Sequence, residues 1–79
     1  MNQELKDIII SIYGKVTDIE KSTVLSKDLS FTSMHFVQLI VELEAYFEFE
    51  FSDDELDLIK IDSVDNLNKI VNRHIVDKD

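Results

Sequence analysis

The chain has 79 residues, 44% of them hydrophobic, with one glycine, no proline and no cysteine. That is enough for one small core and a thin stability margin, and it excludes disulfides, a thiol active site and a cysteine-based zinc site. Seventeen acids against eight bases give a net charge of -9, so nucleic acid and anionic membranes are poor partners and a basic protein surface is a natural one. The charge is unevenly laid down: between Asp28 and Ile59 there are nine acids and no Lys or Arg. No apolar run approaches the roughly 20 residues that span a bilayer. Asn2, Gln3 and Glu4 do not make the basic start of a secretory signal, and a cytoplasmic location is the default expectation. Scarce Gly and Pro disfavour tight-turned sheets and favour helices. The expected architecture is all-α, one domain over residues 1–79.

Leu5, Ile8, Ile9, Ile12, Tyr13 and Val16 fall at helical spacing. They predict a first helix over about Gln3 to Tyr13, stopping near Gly14. Residues 15–32 hold no sustained period. Val16, Ile19, Val24, Leu25, Leu29 and Phe31 read as apolar anchors that tack a long loop onto the helices, and a loop of that length in a small domain is often functional. The second helix is the clearest element, running from Ser33 to Phe47 without a breaker, with Thr32 or Ser33 able to cap it. Its spacing sorts the apolar residues into two sets. Phe36, Val37, Ile40, Leu43 and Phe47 make a wide stripe for the core. Met34, Gln38, Val41 and Ala45 lie in a second line, flanked by Glu42, Glu44 and Glu48, and this line reads as a docking surface, the alternative being that Met34 and Val41 widen the core face or cover the loop.

Glu48 to Phe51 alternates acid and aromatic. It has no partner strand in the chain, and is read as an extended connector with Phe49 and Phe51 turned inward. Ser52 and Glu55 have capping-box spacing, predicting a short third helix over Asp53 to Ile59. Ser63 caps a fourth helix with Val64, Leu67, Ile70, Val71, His74 and Ile75 at helical intervals. Lys69, Arg73 and Lys78 fall late in it, where bases suit the C-terminal end.

Few residues offer chemistry. His35 and His74 have no cysteine partners and no helical H-x-x-x-H spacing, so no metal site is expected. His74 reads as a boundary residue of the last helix, while His35 is a solvated residue or a partner contact. Asp53, Asp54, Glu55 and Asp57 lack the glycine and spacing of a calcium loop and read as a capping, solvated cluster. Ser33 stands apart. At a helix mouth, a phosphate on its oxygen would meet free amides and the positive end of the dipole.

The stretch Asp28-Leu29-Ser30-Phe31-Thr32-Ser33-Met34 resembles the D-L-G-x-D-S-L signature of acyl and peptidyl carrier proteins. Val37, Leu39, Ile40, Glu42, Leu43, Glu44 and Phe47 are similar to the helix that follows it in the family. Phe49 to Glu55 and Ser63 to Leu67 resemble its connector and its last helix start. The chain departs from the pattern at Thr32, where the family has aspartate, and at Ser30, where it has glycine.

The resemblance implies a four-helix bundle of the acyl-carrier type, with a long loop between helices 1 and 2 and a short helix 3. It implies that Ser33 receives 4'-phosphopantetheine from coenzyme A and is not a catalyst. An acyl or aminoacyl group would then be held as a thioester. It also implies that Met34, Gln38, Val41, Glu42 and Ala45 meet partner enzymes: a phosphopantetheinyl transferase, a loading enzyme and a downstream synthase or transferase. The departures point to a specialised nonribosomal peptide or polyketide pathway, and a monomer is expected. A fatty-acid or D-alanyl carrier, or an armless regulatory binding protein of the same fold, are the alternatives.

Overall fold

The computed structural model describes residues 1–77, and Lys78 therefore lies outside the described residues. Five helices follow in order: α1 (Gln3–Tyr13), α2 (Leu25–Asp28), α3 (Ser33–Phe47), α4 (Leu58–Ile61) and α5 (Val64–Asp77). No strand occurs among the described residues. The architecture is the expected helical bundle, with the two four-residue helices lying in the connections.

The boundaries follow from local chemistry. Asn2 caps α1 by accepting from the Leu5 N–H at 3.1 Å. Gly14 ends it in the left-handed region, φ 85°, and its N–H reaches the Ile10 carbonyl. That conformation is open to glycine at little steric cost. Because the helix stops there, Val16 falls off the apolar stripe. It is 95% exposed and anchors nothing, contrary to the sequence reading.

The long loop is ordered by its other anchors. Ile19, Leu25, Leu29 and Phe31 are buried. Backbone bonds from Val64 N–H to Thr23 O and from Leu25 N–H to Asp62 O fasten it to the α4–α5 junction. Within it, α2 is a single turn that the sequence pattern did not predict. Ser26 N–H and Oγ both donate to the Asp62 carboxylate, so tertiary contacts rather than periodicity hold this turn.

The third helix starts later than predicted. Ser52 and Glu55 do form the reciprocal box, Ser52 N–H to Glu55 Oε1 at 2.8 Å and Glu55 N–H to Ser52 Oγ at 3.3 Å. The box closes only a turn. Asp57 has extended backbone and accepts from the Ile59 N–H at 2.8 Å, which starts α4 at Leu58. A short acidic side chain here offers the backbone a second cap in place of a continued helix. Ser63 caps α5 as expected, accepting from the Asn66 N–H.

One core joins all five helices. Leu5 and Ile9 of α1 share it with Leu25 of α2, Phe36, Leu39 and Leu43 of α3, Ile61 of α4, and Val64, Leu67, Ile70 and Val71 of α5. Leu39 is fully buried, whereas Val37 is 58% exposed. The core face of α3 is therefore turned from the expected one: Leu39 belongs in it and Val37 does not. Phe51 is buried and Phe49 half-buried, both turned inward as the alternating pattern suggested.

Candidate functional site

Ser33 is the first residue of α3 and is exposed. The chain reaches it through a constrained turn. Phe31 is buried and its N–H donates to the Leu25 carbonyl at 3.1 Å. Ser30, just before it, has φ 57°, in the left-handed region. This is the position where the resembled signature has glycine, and the backbone shows why glycine suits it. Thr32 is extended, and the Phe36 N–H to Thr32 carbonyl bond opens the helix. Amides of a first turn have no carbonyls of their own helix to receive them, and they lie at the positive end of its dipole. A phosphate ester on Ser33 fits that setting.

The N-terminal cap uses histidine where an acid is usual. The Thr32 N–H donates to His35 Nδ1 at 2.9 Å, closing the side-chain half of a capping box. The His35 ring also stacks on Phe31, centroids 5.1 Å apart. No hydrogen bond joins Ser33 Oγ to this imidazole, whose Nδ1 is taken up by Thr32.

Beside Ser33 lies an open depression of about 470 Å³, lined by Ser26, Phe31, Phe36, Leu58, Ile59 and Asp62 together with Thr32 and Ser33. Ile59 is 85% exposed there. The lining combines the apolar side chains of Phe31, Phe36, Leu58 and Ile59 with the Ser26–Asp62 pair.

Further along α3, Met34 (76%) and Val41 are exposed, and so are Gln38 and Ala45. The expected second line is thus a surface line. Exposed Val37 widens it, a residue the sequence reading had given to the core. Glu42 lies off this line. It is half-buried and lines grooves with Ile8 and Tyr46 on the α1 side. Glu44, which flanks the line, is half-buried: its carboxylate accepts from the Phe51 N–H at 2.9 Å and its carbonyl from the Phe49 N–H. It pins the connector to α3.

The acidic cluster after Phe51 is structural at Glu55. Burial pushes the Glu55 carboxyl up, but the Ser52 N–H bond and the hydrogen bond and charge of His74 together hold it below its ordinary value. His74 Nε2 lies 2.9 Å from Glu55 Oε1, and its ring stacks on Phe49. No group of His, Asp and Glu among the described residues is arranged to hold a metal ion. No described helix is long and apolar enough to cross a membrane.

An exposed serine at a helix mouth, a long ordered loop before it and an apolar line behind it fit the phosphopantetheine attachment site, the family whose model matches residues 3–71. The chain belongs to that family, and its cofactor is covalently attached 4'-phosphopantetheine. Domains of the family are in general carriers rather than catalysts, working with transferases and synthases. No curated protein matches the chain.

Proposed function

We propose that the chain is a single carrier domain that bears its 4'-phosphopantetheine on Ser33 and passes acyl or aminoacyl cargo between enzymes of a specialised nonribosomal peptide or polyketide pathway. One observation carries the choice of residue: Ser33 is the exposed first residue of α3, at the position matching the signature serine. The group, when bound, supplies a thiol on which cargo is held as a thioester. The chain's own residues present and recognise. Thr32, His35 and Phe31 fix the turn that offers the Ser33 hydroxyl. Met34, Gln38, Val41 and Ala45, with Val37 and Glu42 at the edges, make the surface read by the phosphopantetheinyl transferase, the loading enzyme and the downstream synthase. The acids between Asp28 and Ile59 steer basic partners toward that surface. The imidazole of His35 serves the cap, its Nδ1 accepting from the Thr32 N–H. A cytoplasmic monomer belongs to the same reading.

The test is an intact mass after incubation with coenzyme A and a broad-specificity phosphopantetheinyl transferase. Wild type should gain one phosphopantetheine. Failure with several transferases would favour the armless binding protein, a reading that rests on Thr32 standing where the signature has aspartate. Which cargo the loaded protein accepts, aminoacyl, D-alanyl or fatty acyl, is read by offering it the corresponding loading enzymes.

A further inference from the structure

We infer that His35 is a positioning residue for Ser33, holding the turn that presents it only while the imidazole is neutral. The inference rests on the reading of Ser33 as the attachment residue. The geometry begins with the Thr32 backbone, whose N–H is always a donor. Its bond to His35 Nδ1 at 2.9 Å requires that nitrogen to be unprotonated, which leaves the ring proton on Nε2. Thr32 Oγ1 lies 3.0 Å from the same Nδ1. Stacking on Phe31, a buried anchor, fixes the plane of the ring. One imidazole therefore ties together the two residues that lead into Ser33.

Protonation reverses the polarity of this joint. Nδ1 becomes a donor and faces the Thr32 N–H as another donor. The remaining acceptor is Thr32 Oγ1, so the backbone amide loses its partner. A cation is also placed in the first turn of α3, where the helix dipole disfavours it. A Gln or Glu at this position, the usual third member of a capping box, would accept from Thr32 across the whole range where histidines titrate, about pH 5 to 8.

The acids of α2 and of the α4–α5 junction are engaged elsewhere. Asp28 of α2 accepts from the Val24 N–H. Asp62, after α4, accepts from Ser26. The first turn of α3 contains no acid. Among the described residues no ion pair reaches His35.

The experiment compares wild type with His35→Gln by two readouts. Nitrogen–proton NMR spectra between pH 5 and 8 follow the Thr32 and Ser33 amides of the unmodified protein. Initial rates of phosphopantetheine transfer are taken over the same range with one transferase, and their ratio cancels the enzyme's own pH dependence. The wild-type amides should titrate and those of His35→Gln should not. The wild-type to variant rate ratio should fall about threefold to tenfold toward pH 5, the factor a lost cap usually corresponds to. Amides that behave alike in both proteins, or a rate ratio flat with pH, would overturn the inference. If neither protein accepts the group at any pH while the amides still titrate in wild type alone, His35 keeps its place in the turn and the reading of Ser33 fails instead.

Discussion

The two long helices, α3 with 15 residues and α5 with 14, are of nearly equal length and share one core, yet they treat their apolar residues differently. α5 buries Val64, Leu67, Ile70 and Val71 and leaves one large hydrophobic residue, Val76, well exposed. α3 buries Phe36, Leu39 and Leu43, then exposes Met34, Val37, Val41 and Tyr46 as well. A helix that only has to cover a core needs one apolar face. α5 shows that this chain can make one, and the exposed surplus on α3 is the observation on which the proposed docking surface rests. The charge follows the same division. α3 and its connector hold no Lys or Arg, while α5 carries Lys69 and Arg73 in ion pairs with Asp65 and Glu55.

Substitutions that probe the buried faces should have the largest effects. Val71→Glu places a charge in the core of α5 without a partner and should abolish the fold. Leu43→Ala on the buried side of α3 should cost about 2 to 5 kcal/mol, a large share of a small domain's total of roughly 5 to 15 kcal/mol. Urea unfolding followed by circular dichroism measures both. An unchanged midpoint for either variant would mean that the faces have been assigned the wrong way round.

Acid should act next, and on the α5 side. The folded-state pKa of Glu55 is lowered, so its contribution is present above the ordinary carboxylate range and is lost as pH falls through the depressed value. Stability should therefore drop below about pH 4, and Glu55→Gln should show a shallower drop than wild type. Parallel acid curves for the two proteins would remove Glu55 from the account.

The smallest effect on stability is expected at the exposed line of α3. Val41→Glu should change stability by no more than about 0.5 kcal/mol, as surface substitutions usually do. Loading by a partner enzyme should nevertheless fall, since apolar anchors at an interface carry much of its energy. If Val41→Glu unfolds like Val71→Glu, the contrast between the helices is lost. If it folds and loads normally, the line is surface but not the docking face.

Much of this division could be read from the sequence. The bounds of α1 and α3, the stop at Gly14, the exposed line through Met34 and Val41, and the helix mouth at Ser33 all follow from caps and period. What escaped the sequence depended on contacts across the chain. Val37 and Leu39 sit near opposite edges of a wide apolar stripe, and the packing of α1 against α3 decides which edge is inside. α2 exists because Asp62 holds Ser26, 36 positions away. Asp57 took over the cap that Ser52 and Glu55 were expected to provide for α4. The role of His35 was hidden for a related reason: histidine is not a usual member of a capping box, so spacing alone gave no signal for it.

Locating the modification tests the central claim most directly. After treatment with coenzyme A and transferase, the protein is digested and the modified peptide fragmented by tandem mass spectrometry, with Ser33→Ala run in parallel. Ser33 should be the only serine in the chain to carry phosphopantetheine. Ser33→Ala should stay unmodified while keeping the helical circular dichroism spectrum of wild type, since Thr32 and His35 still cap α3. Phosphopantetheine on another serine, or a folded Ser33→Ala that still gains the group, would contradict the account.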